Sequence, residues 1–322
     1  MRDHCPKVPS VSPGRNDRAE APRERASHYT DRMSPASADE RTFTDATGIR
    51  IFYDVYTPER TPRAAVYVLH GVGEHAGRYR AMIGDLVEAG YLVYADDHRG
   101  HGRTGMEQHG GDASKLGRLG RGGMQAAKAA CWQLTELIRD ENPDLPLIIL
   151  GHSWGSFLTQ MLVDEHADAY DAVILSGSSL RWPGSMNAGD LNKPWNGPGA
   201  NGLEWLASDQ KVVDDFIADP LTTSESLQKL FGPVNSLQLL GRPARDLAAD
   251  VPVLLMVGRD DTVGGPHAVH RLADAYRTRS GLTDVATLVY PDVRHEIFND
   301  VTRDQVIADL LAWLDPRFPA RD

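Results

Sequence analysis

The sequence predicts an α/β fold, a mostly parallel central sheet with helices on both faces, interrupted by one long insertion. Three observations carry that prediction. Short runs of Val, Ile, Leu and Tyr alternate with segments whose apolar residues recur at helical spacing, the pattern of βαβ units. Several of these runs are apolar throughout, as strands buried on both faces require. The rhythm stops between residues 180 and 250 and then resumes.

Composition bounds the rest. A chain of 322 residues with ordinary apolar and charged fractions can bury a substantial core. It has no apolar run long enough to cross a bilayer, and residues 1–12 have no apolar stretch of the kind a secretory leader needs. The two cysteines, Cys5 and Cys131, do not make a disulfide framework, so a cytoplasmic location is expected. A formal net charge of −11, from 34 basic and 45 acidic residues, argues against a nucleic-acid partner. Glycine-rich phosphate loops of the nucleotide-binding kinds are missing after the first strands, so no cofactor is expected.

Residues 1–40 are rich in Pro, Arg, Asp, Glu and Ser with few large apolar residues. Such a stretch cannot offset its ordering entropy by burial, so it reads as a disordered tail; Met33 is an alternative start. Residues 42–45 and 49–56 flank Thr47-Gly48 as a hairpin at the sheet edge, and residues 64–69 form a buried strand. A helix over 78–89, apolar at Met82, Ile83, Leu86 and Val87, ends at Gly90. A strand over 91–95 leads into a polar loop over 96–105, dense in Gly and His. Met124, Ala127, Cys131, Leu134 and Ile138 mark the buried face of a helix that Pro143 terminates. A strand over 147–150, a helix through Val163 and a strand over 172–175 complete the first part of the core, residues 41–179.

Residues 180–250 are rich in Gly, Pro and Asn but carry Trp182, Trp195, Trp205, Phe216 and Leu230. A long irregular insertion with apolar side chains is expected to be a cap over an apolar site. Residues 251–322 return to the core, with a strand over 251–257, a helix over 266–277, a strand over 285–290 and a closing helix over 301–314.

The chemistry starts at Gly151-His152-Ser153-Trp154-Gly155, which follows the 147–150 strand and opens a helix. In that context Gly-x-Ser-x-Gly presents a serine on a sharp turn above the sheet. A serine hydroxyl needs a base to take its proton, and the base needs a carboxylate to fix its tautomer. His295 follows the 285–290 strand, and Asp261 follows the 251–257 strand. The order Ser153, Asp261, His295 is that of an α/β-hydrolase. Asp260 competes with Asp261, and Asp292 lies on the histidine's own loop. The oxyanion hole requires two backbone N–H groups, expected at Trp154 and, between Gly71 and Gly73, at Val72. The pairs His98/His101 and His267/His270 have no third ligand nearby in sequence, so no metal site is expected.

These segments resemble the monoacylglycerol lipases and related lysophospholipases of the α/β-hydrolase superfamily. The match is carried by His70-Gly71-Val72-Gly73-Glu74-His75-Ala76-Gly77-Arg78-Tyr79, Asp97-His98-Arg99-Gly100-His101-Gly102-Arg103, Gly258-Arg259-Asp260-Asp261 and His295-Glu296-Ile297-Phe298-Asn299, and runs from about Arg41 to the end. The resemblance implies an esterase triad of Ser153, Asp261 and His295 with oxyanion donors at Val72 and Trp154. It also matches Glu74 and Arg78 to residues lining a polar pocket for the glycerol end, although a salt bridge fixing the loop would use the same pair. The implied partner is a small-molecule ester or lipid, with transient membrane-surface contact through the cap.

Two positions depart from the family's Gly-His-Ser-Met-Gly-Gly: Trp154 and Ser156 stand where Met and Gly are usual. The indole is expected to narrow the acyl side and favour shorter chains. The Ser-Trp-Gly-Ser run also resembles proline iminopeptidases, whose His-Gly-Gly-Pro-Gly loop is not matched by His70 to Glu74. An aminopeptidase or a small-molecule carboxylesterase is therefore the alternative, and a non-catalytic acyl-binding protein a third reading.

Overall fold

The computed structural model describes residues 37–187 and 189–321. The expected tail over residues 1–40 lies outside the described residues except at its end, where the first strand begins at Ala38. Strands β1 (Ala38–Thr44) and β2 (Arg50–Tyr56) form the predicted antiparallel hairpin. Six more strands follow: β3 (Ala65–Leu69), β4 (Leu92–Asp96), β5 (Leu147–His152), β6 (Ala172–Ser176), β7 (Val253–Gly258) and β8 (Val285–Tyr290). All lie in one sheet of order β1-β2-β4-β3-β5-β6-β7-β8, in which every pairing from β4 to β8 is parallel.

Side-chain alternation divides the core in two. Tyr67 and Leu69 of β3 and Ile149 of β5 face helices α3 (Gly123–Glu141), α4 (Trp154–His166) and α7 (Gly265–Thr278). Val66, Val68, Ile148 and Leu150 face α1 (Arg80–Glu88) and α8 (Arg303–Leu314). Met124, Ala127, Cys131, Leu134 and Ile138 are all buried on α3, as their spacing predicts.

The polar loop expected over 96–105 contains a short helix, α2 (Gly102–Gln108). Its sequence, with two glycines and no apolar stripe, has little helical preference. Tertiary partners hold it: Asp97 accepts from the Arg103 N–H at 3.0 Å, and Thr104 Oγ1 accepts from the Phe52 N–H at 2.9 Å. Arg99 beside it is fully buried, pairing with Asp45 and donating to the Leu119 and Arg121 carbonyls.

Between β6 and β7 the chain leaves the sheet and forms α5 (Gln210–Ala218) and α6 (Leu227–Gln238), the latter broken where Gly232 adopts φ +68° before Pro233. Leu203, Leu206, Val213 and Phe216 make a small core of its own. Its two ends are tied together by Arg181, whose carbonyl accepts from the Gly241 N–H at 2.6 Å and whose guanidinium donates to the Leu239 carbonyl and to Asp164. No helix among the described residues is long and apolar enough to cross a membrane.

The sheet positions the site. From β3 the chain goes to β4 on one side and then returns to β5 on the other, so the carboxyl ends of β3 and β5 flank a topological switch point. Removing Arg99 would leave Asp45 buried without its cation. Arg99→Ala is expected to cost about 3–5 kcal/mol of stability, read as a lowered denaturation midpoint in urea; a loss below about 1 kcal/mol would remove Arg99 from the structural core.

Candidate active site

Ser153 sits on the turn between β5 and α4 with φ +52° and ψ −121°, a conformation a side chain disfavours. Close packing imposes it. A Cβ at Gly155 would overlap the carbonyl oxygens of Leu69 and His70, and one at Gly151 would come within 2.6 Å of the Gly155 oxygen. The glycines let α4 start directly against the ends of β3 and β5. The Ser153 N–H donates to the Ser176 carbonyl at 2.9 Å, and Ser156 Oγ donates to the Ser153 carbonyl at 2.6 Å. Ser156, one of the two unusual residues, thus braces the turn. The Ser153 side chain makes no capping bond to α4, so its hydroxyl is left for other chemistry.

Of the three carboxylates the sequence left open, Asp261 reaches His295. Its Oδ2 lies 3.0 Å from Nδ1, while Oδ1 accepts from the Val263 N–H at 2.7 Å. Asp260 and Asp292 are exposed. His295 is buried beside the end of β6, where a Cβ at Gly177 would stand 2.9 Å from its Cε1 and 3.0 Å from the Cε1 of His152. His152 immediately precedes Ser153, and its ring centroid is 4.6 Å from that of His295. With Nδ1 committed to Asp261, the opposite nitrogen of His295 has no hydrogen-bond partner among the described residues. Burial opposes protonation of His295, but the Asp261 carboxylate outweighs it and raises the pKa above its ordinary value. His152 is driven the other way by burial, then by His295 and Arg78, and is neutral.

Val72 and Trp154 both keep a free backbone N–H among the described residues. Trp154 is the first residue of α4, where such a donor is intrinsic to the helix end. The Val72 N–H shares its peptide plane with the Gly71 carbonyl and points the opposite way. That carbonyl is 2.7 Å from His70 Nδ1, and His70 Nε2 accepts from the His98 N–H at 3.0 Å. An Nε2 that accepts carries no proton, so His70 is the neutral Nδ1–H tautomer and donates to Gly71. Burial keeps it neutral, holding its pKa well below the ordinary value. In the sequence, the local signal for this role is the position of His70 directly before the Gly-Val-Gly turn.

Glu74 is buried and Arg78 half-buried, and the two are committed to one another. Glu74 Oε1 accepts from the Gly71 N–H and from the Tyr79 hydroxyl, each at 2.6 Å, and Oε2 lies 3.3 Å from Arg78 Nε. Arg78 continues to Glu296 Oε2 at 2.6 Å and lies over the Phe216 ring of α5. These contacts are those of the loop-fixing alternative. Glu296, missed by the sequence reading although it adjoins His295, joins the histidine loop to the Val72 loop through Arg78. Burial raises the Glu74 pKa, as does Glu296, against the lowering by Arg78.

The Trp154 indole is fully buried, stacked on His101 at 5.0 Å and packed on Phe231 of α6 at 5.0 Å. Its bulk is taken up by the core, and no narrowing of an acyl site follows from these contacts. Asp96, His98 and Cys131 lie close together nearby. His98 Nδ1 is 2.7 Å from Asp96 Oδ2, a hydrogen-bond distance and shorter than the about 3.3 Å that separates ligands of a tetrahedral zinc ion. Burial disfavours a charge on His98, but Asp96 outweighs it and holds the pKa well above the ordinary value.

A strained serine turn at the switch point of this sheet, with a carboxylate-held histidine beside it, defines an α/β-hydrolase. The family profile described as "Serine aminopeptidase, S33" matches residues 60–302, and the chain belongs to that family. It is 32% identical to a monoacylglycerol lipase of Mycolicibacterium smegmatis, over 88% of this chain and 99% of the relative. It is 27% identical to a monoglyceride lipase of Mus musculus, over 86% of this chain and 90% of the relative. Among solved structures, a thermostable carboxyl esterase from Bacillus coagulans in complex with glycerol aligns with TM-score 0.76 and 28% identity, over 88% of this chain and 99% of that one. A monoglyceride lipase from Saccharomyces cerevisiae aligns with TM-score 0.72 at 20% identity, over 91% and 99%, and shares the fold.

The raised His295 pKa has a signed consequence. The Asp261–His295 pair contributes stability that is complete below the unfolded histidine value, about 6.5, and is lost as pH rises through the folded value. A histidine NMR titration is expected to place His295 above about 6.5, and Asp261→Asn to lower it. An unchanged midpoint in that variant would disprove the electrostatic coupling.

Proposed function

We propose that this protein is a serine ester hydrolase that cleaves monoacylglycerol-like esters through an acyl-enzyme. The observation that carries this reading is the Asp261–His295 hydrogen bond beside the strained Ser153 turn. Ser153 Oγ attacks the ester carbonyl while His295 Nε2 accepts its proton. The carbonyl oxygen becomes an oxyanion held by the Val72 and Trp154 N–H groups, a term worth roughly 3–4 kcal/mol per donor. His295, now an imidazolium stabilised by Asp261, returns the proton to the leaving alcohol as the tetrahedral intermediate collapses. Water, activated by the same histidine, then hydrolyses the acyl-enzyme and frees Ser153. His70 orients the Val72 donor, and Glu74, Arg78 and Glu296 fix the two loops.

The relatives named for monoacylglycerol substrates support the ester class, with lysophospholipid-like esters as the neighbouring substrate type. The family description raises an aminopeptidase as the other candidate. An aminopeptidase must receive a cationic amino group, which calls for an unpaired carboxylate. Glu74 and Glu296, packed around the site, are both taken by Arg78. A neutral ester fits better.

The segment between β6 and β7 serves as the cap. It bonds to the Val72 loop through the Thr223 N–H and Gly73 carbonyl at 2.8 Å, and to the histidine loop through the Glu296 N–H and Leu206 carbonyl at 2.8 Å. Trp205 lies 5.1 Å from His295. The segment exposes Ile217 of α5 and Val234 and Leu237 of α6, at 54%, 68% and 66%, apolar side chains suited to transient contact with a lipid interface. The buried free thiol of Cys131 fits a reducing, cytoplasmic setting.

Ser153→Ala is expected to lower hydrolysis of short p-nitrophenyl esters at least about 1,000-fold with the fold retained; intact turnover would refute the nucleophile. In the unmodified protein, faster cleavage of an aminoacyl amide than of a monoacylglycerol would sink the ester reading. Val234→Asp combined with Leu237→Asp is expected to reduce activity on micellar monoacylglycerol several-fold while sparing a soluble short ester. Equal loss on both substrates would argue against interfacial contact.

A further inference from the structure

Away from the serine, where the cap leaves and rejoins the core, the chain concentrates positive charge that it does not use. Arg242 and Arg245 from the returning segment and Arg271 and Arg279 from α7 and its C-terminal end line one open cleft of about 430 Å³, together with Leu180, Ala275 and Thr278. No carboxylate is among the lining residues. In a protein of net charge −11 this is unexpected, since arginines elsewhere, such as Arg63, Arg103 and Arg303, are paired with acids. Arg245 and Arg271 make no hydrogen bond or ion pair among the described residues. Asp164, which lies within electrostatic reach of Arg279, is already engaged by Arg181 at 2.8 Å and by the Ala244 N–H at 2.7 Å.

Two of the four guanidinium groups are held in place. The guanidinium carbon of Arg242 lies over the Trp182 ring, 3.7 Å from its centroid, a contact that uses the ring face and none of the N–H donors. Arg279 donates through Nε to the Pro243 carbonyl at 2.6 Å, so its two terminal nitrogens keep their donors. The end of α7 contributes only about half a negative charge, a small offset to four cations. Arg242 and Arg245 are exposed and Arg271 and Arg279 half-buried, so water screens part of the repulsion among the four cations, and an anion seated between the two segments would relieve the rest. A carboxylate can satisfy one arginine fork, whereas a phosphate monoester dianion offers three oxygens and two charges to several forks at once.

We propose that this cleft binds a phosphate group, either as a free small-molecule phosphate or as a lipid headgroup, and bridges the end of the cap to α7. The site is separate from Ser153, and the inference does not depend on the ester-hydrolase reading.

The test uses the full chain with inorganic phosphate, glycerol phosphate, and vesicles of phosphatidic acid against phosphatidylcholine. Titration calorimetry and thermal denaturation are run at matched ionic strength with sodium chloride as the control. Phosphate is expected to bind saturably and to raise the denaturation midpoint beyond the chloride control. Arg245→Gln combined with Arg271→Gln is expected to weaken binding at least about tenfold, with an unchanged circular-dichroism spectrum and a cooperative thermal transition as proof of folding. Replacing both by lysine, which keeps the charge and loses the fork, is expected to give an intermediate loss. Binding of the soluble phosphates alone identifies a free ligand, and binding of phosphatidic acid vesicles as well identifies a headgroup. A midpoint shift equal to that in chloride, or the same affinity in the glutamine variant, would overturn the proposal.

Discussion

The backbone of Ser153 is the constraint on which the site depends. A serine at φ +52° stores strain of order 1–3 kcal/mol, and it persists because its surroundings leave no alternative. Gly155 lies against the carbonyl oxygens of Leu69 and His70, so α4 begins where the carboxyl ends of β3 and β5 meet. Ser176 and Ser156 hold the peptides on either side, and Ser156 Oγ also meets Ser178 Oγ at 2.8 Å. The same geometry leaves both the Ser153 hydroxyl and the first N–H of α4, at Trp154, without a partner among the described residues. Nucleophile position and one oxyanion donor are two results of a single close packing.

The second donor rests on a buried polar layer beneath the turn. Asp96 holds His98, the His98 N–H fixes the tautomer of His70, and His70 holds the carbonyl opposite the Val72 N–H. His70 and His98 stack at 4.0 Å, so the charge on one favours neutrality of the other. A chain of this kind converts a flexible Gly-Val-Gly turn into an oriented dipole, which is what electrostatic stabilisation of an oxyanion requires. Arg78 completes the frame. By pairing with Glu74 and Glu296 it locks the loops after β3 and β8 to each other, and through Phe216 it meets the cap.

Much of this was legible from residues alone. The strand and helix periodicities of β3 to β8, α3 and α8 follow from which faces must be apolar. The α2 helix is not legible locally because its glycine-rich sequence has little helical preference; Asp97 of the preceding loop holds it at Arg103, and Phe52 of β2 holds it at Thr104. The closing helix starts at Arg303 rather than 301, a difference confined to its first turn. For Glu74 and Arg78 the sequence left a ligand pocket and a salt bridge equally open. Glu296, the second partner of Arg78, lies 218 residues from it, and no local pattern reports such a pairing.

The sequence by itself determined the kind of fold and the candidate nucleophile, base and acid, because each is a local feature: a residue of defined chemistry placed directly after a strand. Only the tertiary structure decided which of Asp260, Asp261 and Asp292 meets His295, that His70 orients the Val72 peptide, and that Trp154 packs inward against His101 and Phe231. Those outcomes depend on distances between segments far apart in the chain. They are set by how the sheet orders its strands and how closely glycine lets them approach.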